Sequence, residues 1–201
     1  MRIISYIDGF NLYHAIDGLK RPALKWLDLW ALSVSLARNR ETVSEVNYFS
    51  AYATWLPAAH QRHIEYVKAL EHVGVTCHMG HFKNKSRTCR SCGAQWVQHE
   101  EKETDVHMAA RVVVDAYEDR YDRAIIITAD SDLAPALNIV RARFPTKQLF
   151  VVAPPGRHHH ARSLQTGYTL PPGRLAKCLL PDKATDTLNG RILFERPTNY
   201  R

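Results

Sequence analysis

Four aspartates in three separated stretches are the residues from which chemistry could be built: Asp8, Asp105, and the close pair Asp130 and Asp132. Asp8 ends the apolar run that opens the chain and is followed at once by Gly9; Asp130-Ser131-Asp132 follows the apolar run Ala124 to Thr128. Asp105 sits just after Thr104, a good N-cap residue for the amphipathic stretch that comes next. Taken singly, each is ordinary, because aspartates favour helix starts and strand-to-helix loops. Taken together they need a reason to tolerate mutual repulsion. A hard cation such as Mg²⁺ or Mn²⁺ supplies one, since it prefers carboxylate oxygens and water and shares its coordination with phosphates. Such an ion lowers the pKa of a bound water and stabilises charge on the attacking and leaving oxygens at phosphorus, which amounts to phosphodiester hydrolysis.

A second constellation is sulfur and nitrogen. Cys89-Arg90-Ser91-Cys92-Gly93 has the tight turn that forms half of a tetrahedral zinc site, with Cys77 and His81, or His78 and His99, available to complete it. The plain alternative is a pair of thiols in a loop hairpin. Cys178, next to Leu179 and Leu180, reads as a small buried hydrophobe. Lys83, Lys85, Arg87 and Arg90, followed by Trp96, combine phosphate-seeking charge with an aromatic platform for an unstacked base. Arg157 and Arg162 bracket His158, His159 and His160 in a second basic cluster, expected on the same edge as the acidic residues as a solvated loop facing a phosphate-bearing strand. Tyr6 and Tyr13 flank the first aspartate, and Tyr6 is expected to pack. No GxSxG elbow, GxGxxG turn or Walker loop is present, so a serine hydrolase and a nucleotide cofactor are not expected.

The elements that must position these groups follow from periodicity. Arg2 to Ile7, Val43 to Tyr52, Val75 to Phe82, Ala124 to Thr128 and Gln148 to Ala153 read as strands. Helical spacing covers 28–37, 57–72, 104–119 and 133–144, with Pro57 opening and Gly74 closing the second of these. Residues 83–98 show no clear period and predict a basic, Cys-containing loop insertion. One or two short helices are expected in 157–180, and 182–201 reads as an arm or tail, either loose or the seal of a homo-oligomer. Strands alternating with helices imply a parallel sheet with right-handed crossovers, hence an α/β sandwich.

At 201 residues the chain has the length of one domain, and its formal net charge of +7, with a pI near 9.3, favours a polyanionic partner. No run is long and apolar enough for a bilayer span, and the opening lacks the zones of a secretory signal, so a cytoplasmic protein with no membrane partner is expected. Four cysteines are too few and too clustered for a disulfide framework, which fits a reducing compartment.

Three blocks resemble the NYN-domain proteins, a branch of the PIN-like nuclease fold. They are Tyr6-Ile7-Asp8-Gly9-Phe10-Asn11-Leu12, then Glu101-Lys102-Glu103-Thr104-Asp105-Val106 with Met108-Ala109, and Thr128-Ala129-Asp130-Ser131-Asp132-Leu133 with Pro135-Ala136. The likeness covers residues 1–155 and extends to Pro181, giving an expected domain of 1–181. It implies a three-layer α/β/α sandwich with a mostly parallel central sheet and a metal-dependent ribonuclease. Asp8, Asp105, Asp130 and Asp132 match the family's Mg²⁺ or Mn²⁺ ligands, and Asn11 and Ser131 its supporting groups. A non-catalytic RNA-binding or adaptor module, with a structural Zn²⁺ at Cys89 and Cys92, is the competing reading. A phosphatase acting on small phosphoesters fits less well, because Phe10 stands where a second aspartate would be wanted.

Overall fold

The computed structural model describes residues 1–165 and 167–201. Its centre is strand β1 (Arg2–Asp8), buried from Ile3 onward because neighbours flank it on both sides and helices cover both faces. One side carries β2 (Thr42–Ala51) and β3 (Thr76–Thr88), each parallel to its inner neighbour. The other carries β5 (Arg123–Ile127), β6 (Gln148–Ala153) and β7 (Tyr168–Thr169), again parallel. β4 (Gln95–Lys102) adds an antiparallel edge, so the seven strands run in the order β4-β3-β2-β1-β5-β6-β7. The chain leaves β1 first toward β2 and later returns to its other side as β5, making the carboxyl ends of β1 and β5 a topological switch point. A ligand crevice is expected there.

The period of two along β1 divides the core between the faces. Ile3 and Ile7 join Leu12 and Ile16 of α1 (Gly9–Gly18), Leu29 and Leu32 of α2 (Leu29–Leu36), and Val67 and Leu70 of α3 (Pro57–His72). Ile4 and Tyr6 join Met108 and Val112 of α4 (Thr104–Tyr117) and Leu137 and Val140 of α5 (Ala134–Arg143). The three-layer α/β/α sandwich is therefore the one expected. Truncating any of these fully buried leucines to alanine costs about 2–5 kcal/mol, from lost burial and the cavity left behind.

Two segments differ from the sequence reading. Residues 83–98 are not a loop insertion: β3 and β4 form a long hairpin, paired from His81↔Lys102 to Thr88↔Gln95, with only 89–94 as its turn. The outer part of this hairpin stands in solvent, so no hydrophobic alternation marks it in the sequence. Nor does 182–201 lie loose. β8 (Lys183–Thr185) and β9 (Ile192–Glu195) pair, and Phe194 is buried against Trp26 and His72 at ring-centroid distances of 6.0 and 5.3 Å. Arg196 then donates to the Ala23 carbonyl at 3.2 Å, and Tyr200 is buried. Between these segments, 157–180 holds a short 3₁₀ turn, β7 and the one-turn α6 (Pro172–Leu175). Among the described residues no helix is long and apolar enough to cross a membrane.

Candidate active site

Asp8 is both a cap and more than a cap. Its side chain accepts from the Asn11 amide at 3.0 Å, starting α1, and its second oxygen accepts from Asn11 Nδ2 at 2.6 Å and from the Thr128 hydroxyl at 2.8 Å. The residue is only 6% exposed. Burial pushes the carboxyl up from its ordinary pKa, the hydrogen bonds from Asn11 and Thr128 hold it down, and the charge of Asp130 pushes it up further. Gly9 is required immediately after it, since a Cβ there would stand 2.6 Å from the Tyr48 ring and 2.7 Å from the Phe49 carbonyl.

Asp130 lies past the end of β5, the strand beside β1. Its amide donates to Thr128 Oγ1 at 3.0 Å, and its Oδ1 accepts from the Asp132 amide at 3.0 Å, closing the 3₁₀ turn Ser131–Leu133. Thr128 thus ties both carboxylate loci together. Asp105 enters from the first turn of α4; burial, then Asp8, Asp130 and Asp132, push its pKa to about 6.

Glu101, at the end of β4, is the residue that sequence reasoning missed. Burial, then Asp105, Asp8 and Asp130, push its carboxyl to about 8, and its Oε1 is buried without a hydrogen-bond partner. Although it stands in the second motif, it looked like one acid in the mixed run Glu100-Glu101-Lys102-Glu103. Only the antiparallel return of β4 brings it over the crevice. Between Glu101 and Asp105, Glu103 adopts a left-handed conformation at φ 80°, a strained turn for a non-glycine residue.

No lysine or arginine figures among the groups that set the pKa of Glu101 or Asp105. The cluster is an all-oxygen, mutually repelling donor set, which in chemical kind fits a hard divalent cation. Among the described residues, however, no three His, Cys, Asp or Glu side chains stand close enough as placed to hold a metal ion.

Other sequence-predicted residues fall in different places. Asn11, Asp130 and Ser131 share a cleft of about 280 Å³ with Arg157 and His160, so the second basic loop does reach the acidic edge. On the hairpin, Lys83, Lys85, Arg87 and Trp96 alternate onto one face, while Phe82, His99 and Glu101 lie on the other. Glu100 takes up part of that charge, pairing with Lys85 at 3.5 Å, Arg87 at 3.1 Å and Lys102 at 3.3 Å. The zinc set does not assemble. Cys77 pairs in register with Tyr48 inside the sheet, twelve positions along an extended strand from Cys89, a separation of roughly 40 Å at about 3.3 Å per residue. His81 instead meets Glu103 at 3.2 Å. Cys178 is buried and Tyr6 is packed, as expected.

Comparison with known proteins adds to this geometry. The family described as NYN domain matches residues 2–167. Over 224 aligned residues the chain is 28% identical to a protein of Pseudomonas putida (strain DSM 28022 / S16) named 6-hydroxy-3-succinoylpyridine 3-monooxygenase HspA, covering 90% of this chain and 70% of that one. A solved structure of a protein of unknown function from Vibrio parahaemolyticus RIMD 2210633 superposes with a TM-score of 0.54 at 18% identity, covering 84% of this chain and 91% of that one. At that identity the likeness speaks for the fold.

Proposed function

Because the chain belongs to the NYN domain family, we propose that it is a divalent-metal-dependent ribonuclease hydrolysing RNA phosphodiester bonds. The observation that carries this reading is the shared electrostatic field of Asp8, Glu101, Asp105 and Asp130 at the carboxyl ends of β1 and β5. Asp8, Asp105, Asp130 and Asp132, with Glu101, would hold Mg²⁺ or Mn²⁺, and the ion when bound would supply positive charge at the scissile phosphate. The chain's own groups do the rest. Asn11 and Thr128 fix the Asp8 carboxylate, and Ser131 lies beside Asp130 at the cleft. Arg157, reaching that cleft, would receive a phosphate of the strand, with Arg162, Lys83, Lys85, Arg87, Arg90 and Trp96 as outlying contacts. Its four free cysteines fit a reducing, cytoplasmic setting.

End-labelled single-stranded RNA incubated with purified protein in Mg²⁺, Mn²⁺ or EDTA tests the reading. Cleavage is expected only with a divalent ion, and a loss of at least 100-fold in Asp8→Asn and Asp130→Asn, both retaining the wild-type circular dichroism spectrum. Equal cleavage by wild type and both variants in EDTA would overturn it.

A further inference from the structure

Beside the carboxylates, on the α1 and α3 side of the sheet, lies a cavity of about 490 Å³ that the phosphodiester chemistry does not use. Gly9 and Glu101 belong to its lining, so it is continuous with the candidate site. Its walls are aromatic. The rings of Trp55 and His99 stack at 3.7 Å and 5°, Phe82 stands edge-on to Trp55 at 4.6 Å, and Phe10 edge-on to Phe82 at 5.5 Å. Several polar groups share the lining, among them Tyr48 and His63, joined by a hydrogen bond of 3.1 Å, Ser50, and the charged side chains of Lys25 and Glu101. Trp55 remains 36% exposed although it lines the cavity.

We propose that this cavity seats one unstacked nucleobase of the RNA strand, holding the adjoining phosphodiester against the carboxylates. The identity of the strand rests on the ribonuclease reading above; the preference for a planar heteroaromatic ring rests on the cavity alone. Its volume lies within the range of about 300–1,000 Å³ typical of small-molecule sites, and its aromatic faces suit a π-system better than an aliphatic chain. Hydroxyl and imidazole groups can read a ring edge by hydrogen bonding, and an aromatic wall makes an unstacked base favourable in a single strand. Position strengthens the case: Phe10 follows Asp8 by two residues, and His99 precedes Glu101 by two on the same face of β4, so the elements that deliver the carboxylates also deliver the rings.

Binding measured in EDTA separates this proposal from cleavage. A fluorescent single-stranded RNA is titrated with protein, alongside a series in which one abasic position is moved along the strand, with 5′-mononucleotides as competitors. Binding is expected to weaken about tenfold when the abasic site falls at one particular position, as loss of a stacked base would give. Trp55→Ala, and Ala59→Phe to fill the cavity from α3, should each erase that positional dependence and the competition by mononucleotides; their melting temperatures report whether they fold. A flat abasic series with folded wild type overturns the proposal, as does competition by free hydroxypyridines where mononucleotides fail, which would assign the cavity to a small heterocycle. Positional dependence without cleavage in Mn²⁺ sinks the nuclease reading and leaves the base pocket standing. Cleavage indifferent to the abasic position sinks the pocket and leaves the nuclease.

Discussion

The Thr128 hydroxyl, at the end of β5, donates to Asp8 Oδ2 at the end of β1 across 2.8 Å and 120 residues of sequence, while Thr128 Oγ1 itself accepts from the Asp130 amide at 3.0 Å. One side chain therefore ties the Asp8 carboxylate to the backbone of Asp130, whose charge repels it. Thr128→Val keeps the shape and removes both bonds. We expect a stability loss of about 1–3 kcal/mol in urea unfolding, from the Asp130 amide left without its acceptor and the Asp8 oxygen left with Asn11 Nδ2 alone. Metal-dependent cleavage should fall about tenfold or more, and Thr128→Ser should restore most of both. Wild-type kinetics in Thr128→Val would show that this tie does not matter.

Glu101 turns the same repulsion into a pH effect. Its folded pKa of about 8 lies above the ordinary 4.5, so the folded carboxyl keeps its proton where the unfolded one has lost it. The contribution to stability is full below about pH 4.5 and is lost as pH rises through 8. Asp105, at about 6, has the same sign over a narrower window. In EDTA at pH 8, Glu101→Gln should therefore melt a few degrees higher than wild type, corresponding to about 1–2 kcal/mol once solvent screening is allowed for. At pH 5 the difference should shrink toward zero. Added Mn²⁺ should raise the melting point of wild type at pH 8 and that of the variant much less; an equal response in both would remove Glu101 from the cation's surroundings.

How much of this was legible beforehand depends on burial. β1 and β5 are covered on both faces, so they stand out as unbroken apolar runs, and the aspartates at their ends could be read directly as Asp8, Asp130 and Asp132. The outer hairpin of β3 and β4 has neither face covered, and its strands are written in Lys, Arg, Gln and Glu, which carry no periodic signal. Glu101, partly buried at the inner end of β4, was hidden by the mixed-charge run around it, and the zinc set was overbuilt because a loop at 83–98 could have folded Cys77 back to Cys89 where a continuous strand cannot. The last twenty residues read only as an arm or tail because Phe194 is an isolated apolar anchor whose partners Trp26 and His72 are far away in sequence.

His63 works in the opposite direction to Glu101. Burial, helped by the neighbouring His60, lowers its pKa from 6.5 to about 4, and its Nε2 is engaged by the Tyr48 hydroxyl. As pH falls through 6.5 the unfolded imidazole takes up a proton that the folded one refuses until about pH 4. Stability from this group is thus full above pH 6.5 and declines to a floor near pH 4, by about 3 kcal/mol. Urea midpoints at pH 7.5 and 4.5 should converge more in His63→Gln than in wild type. A variant as acid-sensitive as wild type in that interval would place the titration elsewhere.

The four cysteines should divide into two classes. Burial pushes the Cys77 thiol up to about 12 and raises Cys178 as well, whereas hydrogen bonds from Cys92 and then Ser91 lower Cys89 at the exposed hairpin tip. The thiolate is the nucleophile, so iodoacetamide at pH 8 should modify Cys89 and Cys92 within minutes and leave Cys77 and Cys178 intact until the protein unfolds. The tip itself is closed by backbone bonds, Cys89 N to Ala94 O at 2.8 Å and Gly93 N to Cys89 O at 2.9 Å, with Gly93 at φ 71°. Its shape therefore needs no sulfur–metal bond, and Cys89→Ser or prolonged chelation should leave the melting temperature within about one degree, as expected of a surface substitution away from buried partners. A cooperative loss of structure on chelation, reversed by Zn²⁺, would instead mean that other ligands, such as a second copy's Cys89 and Cys92, complete a site at this tip.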